Sequence, residues 1–217
     1  GLNGGAYAPG SILLSVERMN CIREIRTDTR QAVVEAGVIV DALDAQAEKS
    51  GLTFPLSFGA SGSAMIGGVL STNAGGANVL RYGNTRDLCL GLEVVLPDGR
   101  ILDLMTPLRK DNSGLDLRNL MIGAEGQLGV ITAAIMKLYP RPTVHATALV
   151  AMDGLASAPV LLNRLQDASR SAVIAFEFMS CSFVESYIRL APTAPKFFDN
   201  TPPATLLIEL GAAGGDD

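Results

Sequence analysis

Between Ser50 and Leu80 the chain carries no Asp, Glu, Lys or Arg, although these types make up 18% of its residues, and seven of the 31 positions are glycine. A buried strand would be filled with large apolar groups, and an ordinary surface loop would carry charge. The densest part, GASGSAMIGGVLSTNAGG from Gly59 to Gly76, does neither. It offers bare backbone N–H groups and the small hydroxyls of Ser61, Ser63, Ser71 and Thr72. Such a segment suits close approach of main chain to a bulky polar ligand. A second glycine-rich stretch, GAEGQLGVIT, runs from Gly123 to Thr132. Two such turns suggest one large ligand gripped at several points.

The donors a pyrophosphate needs come either from Lys and Arg or from backbone N–H groups in tight turns and at a helix N-terminus. With no cation in the first stretch, only the second solution exists there. Two commoner nucleotide signatures are missing: no GxxxxGK[ST] occurs, and no GxGxxG opens a helix after an N-terminal strand. Gly59-Ala60-Ser61-Gly62-Ser63 is out of register for a serine-nucleophile elbow, and the single histidine, His145, lies just past a Pro-rich break. One histidine and three scattered cysteines (Cys21, Cys89, Cys181) give no metal-ligand spacing, and the thiols read as reduced. A net charge of −5 without clustered cations argues against a nucleic-acid partner. No run of eighteen apolar residues and no signal peptide at Gly1 are found, and the absence of an initiating Met suggests a piece of a longer protein.

Along the chain, residues 12–16 and 32–36 read as strands and 40–50 as a helix with Asp41 early and Gly51 after its end. Residues 63–72 read as a short helix capped by Ser63, its N–H groups aimed into the cradle. Segments 90–96 and 100–104 flank Pro97-Asp98-Gly99 and form a hairpin. Residues 128–138 are β-leaning, and Pro140-Arg141-Pro142 places a domain boundary, dividing the chain into 1–142 and 143–217. Beyond it, strand 146–152, helix 155–171, strand 173–180, helix 183–190 and strand 204–210 predict an α+β layer with helices on one face of the sheet. The last strand is expected at an exposed edge of an incomplete sheet. Glu177, between Phe176 and Phe178, is expected on the outward or site-facing side of its strand, and Glu125 either fixes its turn or touches a ligand.

In order, GASGSAMIGGVLSTNAGGANVLRYG, LGLEVVLPDGRILDL, LRKDNSGLDL and IGAEGQLGVIT resemble the FAD-binding domain of the vanillyl-alcohol oxidase type flavoproteins, in the D-2-hydroxyacid dehydrogenase branch. That branch includes D-lactate dehydrogenases, the glycolate oxidase FAD subunit and D-2-hydroxyglutarate dehydrogenase. IAFEFMS (174–180) and PATLLIELGA (203–212) resemble the last of these most. The resemblance implies an FAD-binding domain of two α+β subdomains (PCMH-type) followed by the start of an α+β cap domain. It implies non-covalent FAD, with Gly1 and Leu2 at the end of a first pyrophosphate loop. The main cradle would be Gly59, Ala60, Ser61, Gly62, Ser63, Ala64, Gly67, Gly68, Ser71, Thr72, Asn73, Ala74, Gly75 and Gly76, and the second turn Glu125, Gly126, Gln127, Leu128, Gly129, Val130 and Ile131. It implies oxidation of a D-2-hydroxy acid of the D-2-hydroxyglutarate or D-lactate type, with hydride passing to the flavin. A quinone or an electron-transfer flavoprotein would accept the electrons. A homodimer in the cytoplasm of a bacterium or the mitochondrion of a eukaryote is expected. The carboxylate-binding and catalytic groups, and a divalent metal such as Zn, would lie beyond Asp217. No catalytic residue is assigned within the chain, and the piece alone is expected to be inactive. The alternatives are a non-catalytic flavin-fold subunit of a glycolate oxidase-like complex and another PCMH-type reductase.

Overall fold

The computed structural model describes residues 9–193 and 195–213. Its first half is built on strands β1 (Ile22–Arg26) and β2 (Gln31–Glu35), a hairpin whose turn closes through Arg30 at a left-handed φ of 55°. Helix α1 (Val40–Glu48) buries Val40, Leu43 and Ala47, and Gly51 at φ 69° lets the chain turn back after it. Then come β3 (Leu52–Thr53), α2 (Ile66–Ser71), α3 (Val79–Tyr82) and α4 (Thr85–Leu88). The predicted hairpin is present as β4 (Cys89–Val95) and β5 (Ile101–Leu104), with Gly99 at φ 86° in its turn. Helix α5 (Leu117–Met121), β6 (Val130–Lys137) and β7 (Tyr139–Pro140) complete this half.

The five long strands form one antiparallel sheet in the order β1-β2-β6-β4-β5. β6 pairs with β2 on one side and β4 on the other, so residues from both ends of this half meet at the sheet centre. α2 packs on that centre. Its Ile66 and Leu70 are fully buried with Leu43, Leu88, Leu92 and Met136. Removing one such side chain costs about 2–5 kcal/mol, because the cavity does not fully collapse. The core therefore fixes α2, and with it the glycine-rich loops at its two ends.

The second half has β8 (Val144–Met152), a 3-10 turn over Leu155–Ser157, α6 (Ala158–Ala168), β9 (Val173–Ser180), α7 (Cys181–Leu190) and β10 (Ala204–Ala212). The two halves meet where Arg81 donates to the Gly211 carbonyl, and within the first half Tyr82 stands edge-on to Tyr139 at 4.8 Å. Ile174 of β9 joins the core of the first half. Arg141 pairs with Asp44 and Glu48 of α1, both at 3.3 Å, and holds the connecting segment against that half.

Four expectations are corrected. Residues 12–16 form no strand: their one backbone bond among the described residues is a local turn, the Val16 carbonyl accepting from Met19 N–H at 2.9 Å, and Ile12 and Leu13 are 96% and 77% exposed. The cap of α2 is Met65 rather than Ser63, whose hydroxyl turns to the Ala60 carbonyl at 3.3 Å. β10 is the central strand of its sheet, in the order β8-β10-β9, so β8 and β9 are the edges. A strand late in sequence inserts between two earlier ones, a placement that alternation of elements does not reveal. Finally, the helices cover opposite faces. α6 packs on Leu206, Ile208, Val150 and Phe176, whereas α7 stands over the face carrying Thr205, Leu207 and Leu149. Glu177 is exposed, as expected.

Candidate functional site

The first glycine-rich segment folds as two loops flanking α2. Residues 57–64 make a tight turn in which the N–H groups of Ser63 and Ala64 both donate to the Ala60 carbonyl, at 3.0 and 2.9 Å. Residues 74–78 lie against this turn, with the Ala77 N–H on the Ser57 carbonyl at 2.9 Å and Asn78 Nδ2 on the Pro55 carbonyl at 3.1 Å. The N–H groups of Gly59, Ala60, Gly62, Gly75 and Gly76 have no acceptor among the described residues. Four of these five residues are exposed and Gly76 is half-buried, so their N–H groups face outward from two adjoining loops, open to water or to a ligand.

The glycines divide by what a side chain would meet. A Cβ on Gly76 would stand 2.1 Å from the Ser57 carbonyl oxygen, and one on Gly67 would stand 2.8 Å from Ala36 Cβ. Gly129 is similarly hemmed in, 2.7 Å from Val94 Cγ1 and 2.8 Å from the Val95 carbonyl oxygen. These three glycines allow close packing of main chain. On Gly59, Gly68 and Gly126 a Cβ would meet nothing within 4 Å, so these positions border open space.

The helix N-terminus contributes less than its sequence implied. Ile66 N–H donates to the Val38 carbonyl at 2.9 Å and Gly67 N–H to the Ala36 carbonyl at 2.7 Å, which leaves Gly68 as the open donor of that turn. The hydroxyls are also mostly engaged. Ser71 Oγ donates to the Gly67 carbonyl at 2.7 Å and Thr72 Oγ1 to the Gly68 carbonyl at 3.1 Å. The donors that remain for a ligand are therefore main-chain N–H groups of the loops.

The second turn docks on the other end of α2. Gly123 N–H donates to the Leu70 carbonyl at 3.0 Å and Glu125 N–H to the Ser71 carbonyl at 2.9 Å. Gly123, Glu125 and Gly126 all take left-handed φ, at 83°, 51° and 79°. The Glu125 carboxylate is exposed and accepts no hydrogen bond among the described residues, so it does not brace the turn. N–H groups of Gly126, Leu128 and Gly129 are likewise unclaimed among the described residues. Six residues of helix span about 9 Å, which is the separation of the two glycine-rich turns along α2.

A residue that the sequence reading passed over ties the turns together. Arg86 donates to the Asn119 carbonyl and, at 2.6 Å, to the Ile122 carbonyl, while its own N–H meets Asn73 Oδ1 at 3.0 Å. Asn73 is held at a left-handed φ of 47°, and Ala74 is pinned through its carbonyl by the Thr85 hydroxyl at 2.7 Å. Arg86 thus joins the C-terminal end of α2 to the second turn and brings a positive charge there. It lies six positions beyond the uncharged window, where a search confined to that window does not reach.

Two grooves border these loops. One of about 700 Å³ runs past Gly62, Ser63 and Met65 to Gly37, Val38 and Glu17. The other, about 450 Å³, is lined by Arg86, Gly123, Glu125, Gln127 and Leu128. The first carries an acid and no cation, and Asp41 Oδ2 comes within 3.3 Å of the Cβ position of Gly62. That end suits hydroxyls of a ligand better than its phosphates. Ile131 is 5% exposed and can contribute only its backbone, and Val130 and Gly129 sit at the start of β6. Gly1 and Leu2 lie outside the described residues.

Among the described residues no cluster of three or more His, Cys, Asp or Glu could hold a metal, and no helix is long and apolar enough to cross a membrane. Burial pushes the Cys89 thiol up to about 12, which keeps it protonated and inert, while Cys21 is exposed and free.

Residues 1–105 match the family described as FAD binding domain. D-2-hydroxyglutarate dehydrogenase of Bos taurus, a mitochondrial protein, is 39% identical over 204 residues, covering 94% of this chain and 37% of the relative. The Xanthomonas citri protein of that name is 38% identical over 220 residues, covering 100% of this chain and 45% of its own length. The chain thus spans less than half of the length of these relatives. Among solved structures, an alkyldihydroxyacetonephosphate synthase superposes with a TM-score of 0.70 at 21% identity, over 91% of this chain and 37% of the other. Residues 1–105 thus resemble an FAD binding domain, and the chain shares its fold with the superposed synthase.

Proposed function

We propose that this chain is the flavin-holding part of an FAD-dependent oxidoreductase that converts a D-2-hydroxy acid, of the D-2-hydroxyglutarate or D-lactate type, to the 2-oxo acid. The observation that carries the reading is the set of unclaimed N–H groups on Gly59, Ala60, Gly62, Gly75 and Gly76, within a segment that matches an FAD binding domain. Main-chain donors suit a pyrophosphate: they carry no net charge, stand in fixed positions, and gain strength when their acceptor is anionic.

In this reading the N–H groups of Gly59, Ala60, Gly75 and Gly76 hold the pyrophosphate, with Gly68 N–H at its side. Glu17, at the far end of the larger groove, accepts from a sugar hydroxyl, as an acidic residue does in other dinucleotide sites. The second turn, Glu125 to Ile131, offers Gly126, Leu128 and Gly129 N–H groups to the remaining polar atoms. Arg86 acts by position, keeping that turn on α2. Bound FAD supplies the acceptor for a hydride from the substrate α-carbon, and the protein supplies orientation. The substrate class and the enzymatic role are supported by the relatives named D-2-hydroxyglutarate dehydrogenase. With them go a quinone or electron-transfer flavoprotein as acceptor, a homodimer, a cytoplasmic or mitochondrial setting, and a division of the chain at residue 142.

The test separates binding from turnover. Protein incubated with FAD and desalted should stay yellow and release FAD on denaturation. The full-length protein should then bleach anaerobically with D-2-hydroxyglutarate, D-lactate or glycolate. Failure to retain flavin overturns the cradle, whereas retained flavin that no D-2-hydroxy acid reduces overturns the substrate class alone.

A further inference from the structure

A second cavity, of about 320 Å³, lies in the three-stranded sheet and away from the flavin cradle. Met179 and Leu207 form its floor, Phe183 and Tyr187 of α7 one wall, and Phe197 and Phe198 of the following loop another. Its place in the fold separates it from the cradle. Gly211, held by Arg81, marks the end of β10 nearest the first half, and Thr205 lies at the opposite end, on the order of 20 Å along the strand.

Three features give the cavity a chemistry. Its walls are apolar and aromatic, yet Phe183, Tyr187 and Phe197 remain half or more exposed, so these rings bury little of their surface within the chain. The one charged side chain lining it is Lys196, which has no acidic partner among the described residues, and no acid lines the cavity with it. At the floor, Thr205 is 2% exposed and its hydroxyl is without a hydrogen-bond partner. Buried hydroxyls are normally paired, so one that lines a cavity unpaired points to a group that belongs there. A cavity of this size falls at the lower end of small-molecule sites, which pair apolar walls with a few polar anchors.

We propose that this cavity binds an aliphatic carboxylate of medium chain length with a hydroxyl at its far end. The carboxylate meets Lys196 at the rim, the methylene chain lies among Phe183, Tyr187 and Phe197, and the distal hydroxyl pairs with Thr205. The site is separate from the flavin cradle, and its occupation does not depend on which hydroxy acid the enzyme oxidises.

Calorimetric titration of the flavin-loaded protein with ω-hydroxyoctanoate, octanoate and the octane α,ω-diol tests each anchor. The hydroxy acid should bind most tightly. Thr205→Val should bring its affinity down to that of octanoate, a loss of about threefold to tenfold from one hydrogen bond. Lys196→Met should weaken both carboxylates by roughly threefold to fivefold, as expected of an exposed ion pair, and leave the diol unchanged. Val184→Trp, which projects into the cavity from α7, should abolish all three titrations while flavin content stays constant. The proposal is overturned if no ligand titrates at millimolar concentration, or if Val184→Trp leaves affinity intact. It is equally overturned if a structure of the flavin-loaded protein shows another chain segment or a second copy filling the cavity.

Discussion

The two glycine-rich turns at the ends of α2 use glycine for different reasons. None of the glycines from Gly59 to Gly76 takes a left-handed φ; where they are tightly placed, as at Gly67 and Gly76, a neighbouring main chain or methyl group occupies the space of a side chain. In the second turn Gly123 and Gly126 are left-handed, and little surrounds Gly126. One segment is held by tight packing at Gly67 and Gly76. The other rests on two backbone hydrogen bonds and on Arg86. Similar composition thus yields a stiff loop and a pinned one, and substitutions should separate them.

The largest effect is expected at Gly76→Val. The Ser57 carbonyl would have to move by more than 1 Å, so the variant should lose at least about 3 kcal/mol in urea unfolding, or fail to fold. Normal stability with flavin loss alone would show that the first turn is not packed as described. Next is Arg86→Met, which leaves the Asn119 and Ile122 carbonyls without their charged donor. A stability loss of about 2–3 kcal/mol and a flavin affinity lower by about tenfold are expected. Thermal melting with and without FAD checks both.

Gly126→Val asks whether the second turn depends on its backbone angle. A branched side chain at φ 79° should cost about 1–2 kcal/mol through crowding against its own backbone, since nothing else stands within 4 Å. The smallest change in stability is expected at Gly68→Asp, within about 0.5 kcal/mol, because its side chain enters open space. Its flavin retention should nonetheless fall tenfold or more, since a carboxylate then faces the phosphates. Gel filtration followed by flavin absorbance reads this directly, and full retention would move the pyrophosphate away from α2.

Much of this was legible in the sequence for identifiable reasons. The hairpin around Gly99, α1 and its stop at Gly51, and β9 were readable because turn residues and periodicity act over a few positions. The glycine-rich stretch stood out because absence of charge over so many residues is rare. What sequence could not show was how each glycine is used, since Gly67 and Gly68 are adjacent and identical yet one abuts Ala36 and the other borders open space. The central place of β10 and the reach of Arg86 to residues 119–122 depend on partners distant in sequence. Ser63 has the composition of a cap, but Val38 and Ala36 claim the helix N–H groups first, so α2 begins later.

The pairing of β2 with β6 has a consequence during synthesis. Gln31 and Lys137 are partners, so the ribosome makes about a hundred further residues before the first hairpin can find its neighbour. At roughly 5–20 residues per second that interval is on the order of 5–20 s, during which β2 presents an unpaired hydrogen-bonding edge. Ala32, Val33 and Val34, all buried in the finished sheet, are exposed to other nascent chains for that time. Yield from a fast-translating host should therefore respond to holdase chaperones and to lower temperature more than the stability of the finished fold would indicate.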